Sequence, residues 1–208
     1  GYKNLTKLSS LSYLKKKNIE EPFCDINDLI SNNEDLILLT GNYNNFFGKL
    51  FYANKIKDFE KIVSSLRSNF KDRLYLEIQR HSENDEKNFE NYLLNCSQTL
   101  DIPLIATQEV FYLNNDMYEA HDALTCIGEK TFIDDTSRFK CSNQHYLKQN
   151  EELLKLYSDI PEALENNYNF HLRFNFKLKK SKPILPSIAN DDNTSPEEVL
   201  IKLANEGL

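Results

Sequence analysis

Three short apolar runs alternate with helical patterns in the first half of the chain, and this alternation constrains the fold more than any other feature. The runs cover residues 35–40, 73–78 and 103–110, and each predicts a buried strand. Helical periodicity fills residues 57–70 and 85–100 between them. Strands that alternate with helices over short links indicate a parallel sheet with right-handed crossovers. The pattern predicts an α/β fold, and it leaves open whether the sheet is doubly wound or closed into a barrel.

Other segments predict further helices and loops. Leucines recur at helical spacing in residues 5–14, ahead of the cations at 15–17, and predict an amphipathic first helix. Residues 183–194 are rich in Pro, Asn and Asp and predict a linker, after which Thr194 or Ser195 caps a final helix. Further helices are predicted at residues 117–127, 151–157 and 161–169, and an extended loop at 134–146.

The bulk composition excludes several classes of protein. With 208 residues, 40% of them hydrophobic, the chain is long enough to bury its own core. The net charge of −7 argues against a free-standing nucleic-acid binder, because phosphate contacts need clustered Lys and Arg. The basic runs at 15–17 and 177–182 are short, and we predict that water solvates them. No apolar run reaches about 18 residues, so we expect no membrane span.

The four cysteines are far apart and form no Cys-x-x-Cys pair. A zinc knuckle and a dithiol redox motif are therefore not predicted, and a reducing cytoplasm is the expected location. The chain opens on Gly1 without an initiator Met, which predicts that it is a segment of a longer polypeptide.

A candidate site lies at the end of the third apolar run. There the run meets polar residues and then a helix start, which is typical of a buried parallel strand that delivers side chains to a site at its C-terminal end. Glu109 is the carboxylate at this point, and His81 follows the preceding strand. Without a metal, His81 would be an exposed histidine in a loop. His121 would be a buried histidine bonded to a backbone carbonyl, which is a more common arrangement than a metal ligand. The sequence contains no phosphate-binding loop and no nucleophile elbow.

Several short motifs, in a fixed order, carry a resemblance to a known family. They are GYKNL (1–5), LLTG (38–41), DRLYLEIQRH (72–81), ATQEVFY (106–112), EAHD (119–122), DIPEALEN (159–166) and ANEGL (204–208). Together they resemble the polymerase and histidinol phosphatase (PHP) domain of the alpha subunits of bacterial DNA polymerase III. The resemblance extends along nearly the whole chain. A chance match would not reproduce both the order and the spacing of these motifs.

The resemblance implies a fold and a domain organisation. It implies that the chain carries the later strands of a distorted (β/α)7 barrel of the PHP type, incomplete at its N-terminus. Residues 1–182 would then be a partial PHP domain, and residues 183–208 a linker and first helix that lead into the polymerase palm. Residues 170–178 alternate strictly between apolar and polar side chains, as a half-exposed strand does, whereas the family continues a helix here. We therefore predict helix through Leu172 and strand after it.

The resemblance also implies a metal site that this chain has partly lost. In the family, the position of His81 holds metal, and a strand-end Asp and His ligate metal where this chain has Glu109 and Phe111. A carboxylate remains, and it suits Mn, Mg or Zn, but the imidazole is gone. The longer Glu side chain moves the oxygens by more than the roughly 0.2 Å that a metal site tolerates. We predict a degenerate metal site at His81 and Glu109, and no catalytic residue in this segment.

The function that the resemblance implies is that of a replicative DNA-directed DNA polymerase, a nucleotidyltransferase that uses Mg and acts on DNA and deoxynucleotides. This segment would be a silent scaffold that binds no cofactor, packs on the palm of the same chain and helps to dock a proofreading exonuclease. Mn or Zn would bind only if the PHP site survives. Two other hypotheses stay open: a metal-dependent phosphoesterase or 3′-to-5′ exonuclease, and a truncated protein with an interaction role of its own.

Overall fold

A computed structural model describes residues 1–14, 22–183 and 195–207 of the chain. At its centre are three strands, β1 (Leu38–Leu39), β2 (Leu74–Ile78) and β3 (Leu104–Ala106), which pair in the order β1-β2-β3. Both pairings are parallel, which confirms the predicted sheet. The residues that the structure describes form a sheet of these three strands, so the implied seven-stranded barrel is not confirmed.

Two strands are shorter than the apolar runs that predicted them. Asp35 has φ +56°, a left-handed conformation that an extended strand does not contain, so β1 cannot begin there. After β3, the N–H of Thr107 still donates to the carbonyl of Ile78 in the sheet (3.0 Å). The N–H of Phe111 instead donates to the backbone carbonyl of His145, outside the sheet (2.9 Å). The chain therefore leaves the sheet soon after β3, and the predicted strand end at residue 110 is wrong.

Helices α4, α5 and α8 contact this sheet, and every helix predicted from the sequence is confirmed within a few residues. The short helices α2 and α3 were not predicted, because six or seven residues are too few to establish a helical period. The helices are α1 (Tyr2–Leu14), α2 (Ile26–Ser31), α3 (Phe46–Tyr52), α4 (Ile56–Phe70), α5 (Glu86–Leu100), α6 (Tyr118–Glu129), α7 (Asn150–Leu156), α8 (Pro161–Phe170) and α9 (Pro196–Glu206).

The hydrophobic core lies where α4 and α5 cover the sheet. Phe59 and Val63 of α4 and Leu76 of β2 are completely buried, and Phe89 and Leu93 of α5 are almost so. Each such side chain contributes roughly 1.5–3 kcal/mol by leaving water. This apolar layer is the rigid base from which the loops at the carboxyl ends of the strands extend.

Helix α8 covers the outer edge of β3. The side-chain amide of Asn166 donates to the carbonyl of Leu104 (2.7 Å), and the amide of Asn167 donates to the carbonyl of Ala106 (2.7 Å). These bonds satisfy carbonyls that a sheet edge would otherwise leave open to another strand. Pro161 occupies the first turn of α8, as predicted, where its missing N–H is not needed.

The predicted strand after Leu172 is wrong. A 3-10 turn covers His171–Arg173, and residues 174–183 are irregular. Phe174, Phe176 and Leu178 are all more than half exposed. Alternation alone does not make a strand when no neighbouring strand pairs with it, and the structure, within its described ranges, places none there. The extended loop predicted at 134–146 is confirmed.

The chain divides into two compact units, residues 1–175 and 176–208. The predicted boundary between residues 182 and 183 stays a prediction. In the second unit, Ser195 caps α9: its Oγ accepts from the N–H of Glu198 (3.2 Å), and Glu198 Oε2 accepts from the N–H of Ser195 (3.0 Å). The cations at 15–17, Thr194 and most of the linker lie outside the described residues. Among the helices described, none is both long and apolar enough to cross a membrane.

Candidate functional site

A polar network joins the carboxyl ends of all three strands. Glu77 of β2 accepts from the N–H of Gly41 (3.0 Å), and the N–H of Glu77 donates to Thr40 Oγ1 (3.0 Å). Thr107 donates its hydroxyl proton to Glu77 and accepts from Gln79 Nε2 (2.9 Å). The carboxyl ends of parallel strands meet at one edge, where ligands usually bind in such sheets. Here the Glu77 carboxylate is engaged in holding strand ends together.

His81 lies next to this network and is buried, with 2% of its surface exposed. Its Nε2 accepts a hydrogen bond from the backbone N–H of Glu109 (3.2 Å), so its remaining proton must lie on Nδ1. That Nδ1 is 3.3 Å from Glu86 Oε1, and the same carboxylate accepts from the backbone N–H of His81 at 2.7 and 2.8 Å. The interpretation of His81 as an exposed loop histidine is wrong.

A second buried histidine, His145, comes from the loop at 134–146. Its ring stacks on His81, with centroids 4.0 Å apart and planes 4° apart. Its Nδ1 donates to the backbone carbonyl of Glu109 (3.0 Å), and its Nε2 lies 3.7 Å from Glu83 Oε1. Burial lowers the pKa of His145, and His81 lowers it further, against the opposite influence of the Glu109 carbonyl and the Glu109 and Glu83 carboxylates.

Phe111 extends this pair of rings into a stack of four. It stacks on His145 (4.7 Å, 14°) and on His121 (5.3 Å, 3°). His121 is half-buried, and its Nδ1 lies 3.9 Å from Cys141 Sγ. The prediction of a buried His121 bonded to a backbone carbonyl is therefore wrong. The rings of His81, His145, Phe111 and His121 form what we call the ring stack.

A small cavity of about 40 Å³ lies beside the ring stack. This volume is enough for a water molecule or an ion. Burial raises the pKa of the Cys141 thiol, so the sulfur remains protonated near neutral pH and is a weak ligand and nucleophile. The polar residues that line the cavity include Asn42, His81, Glu83, Glu109, Cys141 and His145.

Arg80 connects the end of β2 to the segment before α8. Its guanidinium donates to both oxygens of Asp159 (2.7 and 2.8 Å) and to Glu90 (2.9 Å), and it lies 5.0 Å from the centre of the Tyr157 ring. These hydrogen bonds raise the pKa of Arg80 and lower that of Asp159. The arginine therefore serves as a structural anchor.

Arg138 anchors the loop at 134–146 to α6. Its guanidinium binds the Asp122 carboxylate through two donors, one of them at 2.7 Å, and only 3% of the Arg138 side chain is exposed. Hydrogen bonds from Arg138 lower the pKa of Asp122. Sequence reasoning identified neither this pair nor His145, because a loop without periodicity does not reveal its partners.

The predicted metal residues are adjacent, but they do not fit a metal ion as they stand. The backbone N–H of Glu109 occupies the one acceptor nitrogen of His81, and the Glu109 carboxylate is 45% exposed. Phe111 offers no donor atom. Within the described ranges, no group of three or more His, Cys, Asp or Glu side chains is arranged to hold a metal. The degenerate metal site itself stays a prediction.

Comparison with known proteins shows what the chain is similar to. The PHP domain model matches residues 1–81. The chain is 36% identical over 208 residues to DNA polymerase III subunit alpha of Caulobacter vibrioides. The chain is therefore similar to DNA polymerase III alpha subunits along its whole length. The same subunit of Rickettsia bellii is 34% identical over 211 residues, and that of Haemophilus influenzae 32% identical over 209.

The resemblance to the DNA polymerase III alpha subunits is thus confirmed. These matches cover 100% of the chain but 18% of each of the three alpha subunits, so the chain spans less than a fifth of their length. The PHP match ends at His81, whereas the similarity to the alpha subunits continues through the loop that contributes His145.

Proposed function

We propose that this chain is part of a replicative DNA-directed DNA polymerase alpha subunit, in which it is a PHP scaffold without a catalytic step. Similarity to alpha subunits along the whole chain supports the first part. One contact supports the silent role: the His81 nitrogen that would bind a metal accepts a hydrogen bond from Glu109 instead. Nucleotidyl transfer, with its Mg, DNA and deoxynucleotides, belongs to other parts of the alpha subunit.

As a scaffold, the segment would support the polymerase palm and dock a proofreading exonuclease. An exposed apolar patch supports this role: Leu124, Ile127 and Phe132, on α6 and the loop after it, are 65%, 75% and 83% exposed. Large apolar side chains exposed close together in the sequence are typical of protein contacts. The net charge of −7 is consistent with a position away from the DNA template.

The alternative is a metal-dependent phosphoesterase or 3′-to-5′ exonuclease. The small cavity favours it, because Glu83, Glu109 and His145 approach one another there. This function would require the bond between His81 and the Glu109 N–H to open, so that the nitrogen could bind Mn or Zn.

Activity of the intact polypeptide that carries this segment separates the two functions. We expect primer extension with Mg and no exonuclease activity with Mn or Zn. His81→Gln and Glu109→Gln should leave primer extension unchanged. Exonuclease activity that both substitutions abolish would establish the alternative, whereas failure of primer extension would contradict membership of a polymerase.

The apolar patch provides a test of the scaffold role. Ile127→Asp and Phe132→Asp should lower the melting temperature of the intact polypeptide if the patch supports the palm, or weaken exonuclease binding if it docks that subunit. Leu154→Asp is the matched control, because Leu154 is also exposed but lies on α7. If the patch variants match the control in both measurements, the proposed scaffold contacts are wrong.

A further inference from the structure

One segment, residues 139–148, crosses the carboxyl edge of the sheet, and we call it the strap. Its regular structure amounts to one parallel bridge between Tyr112 and Tyr146. The N–H of Phe111 donates to the backbone carbonyl of His145 (2.9 Å), and the N–H of Leu147 donates to the backbone carbonyl of Tyr112 (3.1 Å). These bonds connect the strap to the chain just after β3.

Backbone and side-chain groups in the segment after β2 also bind the strap. The N–H of Ser142 donates to Glu83 Oε1 (2.7 Å), and the Ser142 hydroxyl donates to the carbonyl of His81. The strap is therefore bonded to two segments that are distant from it in sequence, since Ser142 and Glu83 are 59 residues apart.

The ring stack passes through this arrangement and joins four segments. His81 follows β2, Phe111 follows β3, His121 lies on α6 and His145 lies on the strap. Neighbouring rings in the stack lie within 14° of parallel. The backbone of Glu109 is bound between the two buried histidines, because its N–H donates to His81 and its carbonyl accepts from His145.

His81 is therefore bonded to the protein through its acceptor nitrogen, and His145 through its Nδ1. The acceptor nitrogen of His81 is occupied, and Phe111 contributes a ring face where a ligand would contribute a lone pair. Stacked aromatic rings stabilise a contact beyond the area that they bury. The stack needs no ion to connect its four segments.

We propose that the ring stack is a metal-independent clasp that holds the strap closed over the carboxyl edge of the sheet. The inference rests on the proposed silent role and deepens it: stacked rings cross-link the segments that a metal would join in the PHP domains that this chain resembles. Phe111 is the residue on which the clasp depends, because it connects His145 to His121.

Hydrogen exchange of the 208-residue chain tests the clasp. Phe111→Leu removes the ring but keeps an apolar side chain, and Phe111→Tyr keeps the ring. We expect the Phe111→Leu variant to exchange the amides of residues 111 and 147 roughly fivefold faster than the original chain, because the strap opens more often. Phe111→Tyr should exchange them at the original rate.

Two controls separate the clasp from general destabilisation. The amides of Leu76 and Thr107, which bond within the sheet, should keep their exchange rates in Phe111→Leu. Phe139→Leu removes an exposed ring of the strap that is not part of the ring stack, and it should leave the strap amides unchanged. Equal exchange in Phe111→Leu and the original chain would show that the rings do not hold the strap.

Metal addition provides the second test. Zn, Mn, Mg and a chelator should each leave the strap amides of the original chain unchanged. Slower exchange with one of the metals, lost in His81→Gln, would overturn the proposal, because the strap would then be closed by metal. Exonuclease activity in the intact polypeptide would contradict the silent role alone, whereas fast strap exchange with all four rings present would contradict the clasp alone.

Discussion

Two regions of the molecule are held together by different forces. One is the helical layer of α4, α5 and β2, and the other, the strap side, consists of the strap and the residues that bind it. In the layer of α4, α5 and β2, side chains such as Phe59 and Leu76 have left water completely, and their contacts are apolar. On the strap side, His145 is also buried and Arg138 is half-buried, but each depends on specific polar or stacked partners. Apolar burial depends mainly on area, whereas a buried polar group is costly unless each partner is present.

The two regions are therefore vulnerable to different kinds of substitution. The layer should lose stability in proportion to the volume that is removed, wherever it is removed. The strap side should be sensitive to single atoms, and its response should depend on pH.

The largest loss should follow Phe59→Ala in the layer. The ring of Phe59 is completely buried and contacts Phe47 and Tyr92 edge-on at 5.2 and 5.0 Å. Its removal should lower the free energy of unfolding by about 4 kcal/mol, measured by urea denaturation. Lys57→Ala on the exposed face of the same helix is the control. A loss below about 1 kcal/mol would contradict the assignment of Phe59 to the core.

Asp122→Asn should produce the largest effect on the strap side. It removes the carboxylate that accepts two hydrogen bonds from the half-buried Arg138 guanidinium, so it should lower the free energy of unfolding at neutral pH. Asp101→Asn is the matched control, because the ion pair of Asp101 with Arg67 is exposed and longer (3.4 Å). Equal losses in the two variants would mean that burial of the Arg138 pair has no energetic consequence.

The same pair should make stability depend on pH. Because the folded pKa of Asp122 lies below its ordinary value of 3.8, the pair contributes fully above that value and is lost as the pH falls through the folded pKa. The difference in unfolding free energy between the original chain and Asp122→Asn should therefore be constant near neutral pH and shrink below about pH 4. A difference that grows on acidification would contradict the sign.

Ser142→Ala should have a moderate effect. Its hydroxyl donates to the carbonyl of His81 and accepts from the N–H of Gln144 (3.1 Å), and loss of these bonds should cost about 1 kcal/mol in urea denaturation. Ser137→Ala removes an exposed bond to Asp135 in the preceding part of the loop and should cost less. If Ser137→Ala costs as much as Ser142→Ala, the two hydrogen bonds of the Ser142 hydroxyl contribute no more stability than an exposed hydrogen bond does.

Ser82→Gly should give a small gain. Ser82 has φ +61°, a conformation that glycine adopts without strain, so the substitution should raise the unfolding free energy by about 0.5 kcal/mol. Ser64→Gly in the exposed part of α4 should instead lower it by about 0.5 kcal/mol, because glycine is a poor helix former. Thermal unfolding of the two variants compares them, and a loss in Ser82→Gly would contradict the strain at this turn.

The sequence revealed the layer more fully than the strap side. Periodic apolar residues such as Phe59 and Leu93 report the face of a helix, so α4 and α5 could be predicted almost to their ends. At Phe174 and Phe176 an alternating pattern predicted a strand wrongly, because alternation does not show whether a neighbouring strand is present to pair with it. At β1, the left-handed backbone of Asp35 prevents the strand from beginning where composition alone would place its start.

The candidate site was predictable only in part. The carboxyl end of β3 pointed to Glu109, and the family resemblance pointed to His81, and the two residues are indeed adjacent. Residue types alone could not predict that the two residues are joined by a hydrogen bond from the backbone N–H of Glu109 to His81 Nε2. His145 lies 36 residues after Glu109 in an aperiodic loop, and its place in the ring stack depends on the whole fold.

The anchor at Arg80 has a consequence for folding kinetics. Arg80 and Asp159 are 79 residues apart, so their bonds can form only after a long loop has closed. Contacts between sequence-distant residues are costly early in folding, when few other contacts hold the chain. We expect the layer of α4, β2 and α5 to form first and the Arg80 bonds to form late. Arg80→Met should then accelerate unfolding while the refolding rate stays nearly constant, as stopped-flow measurements would reveal.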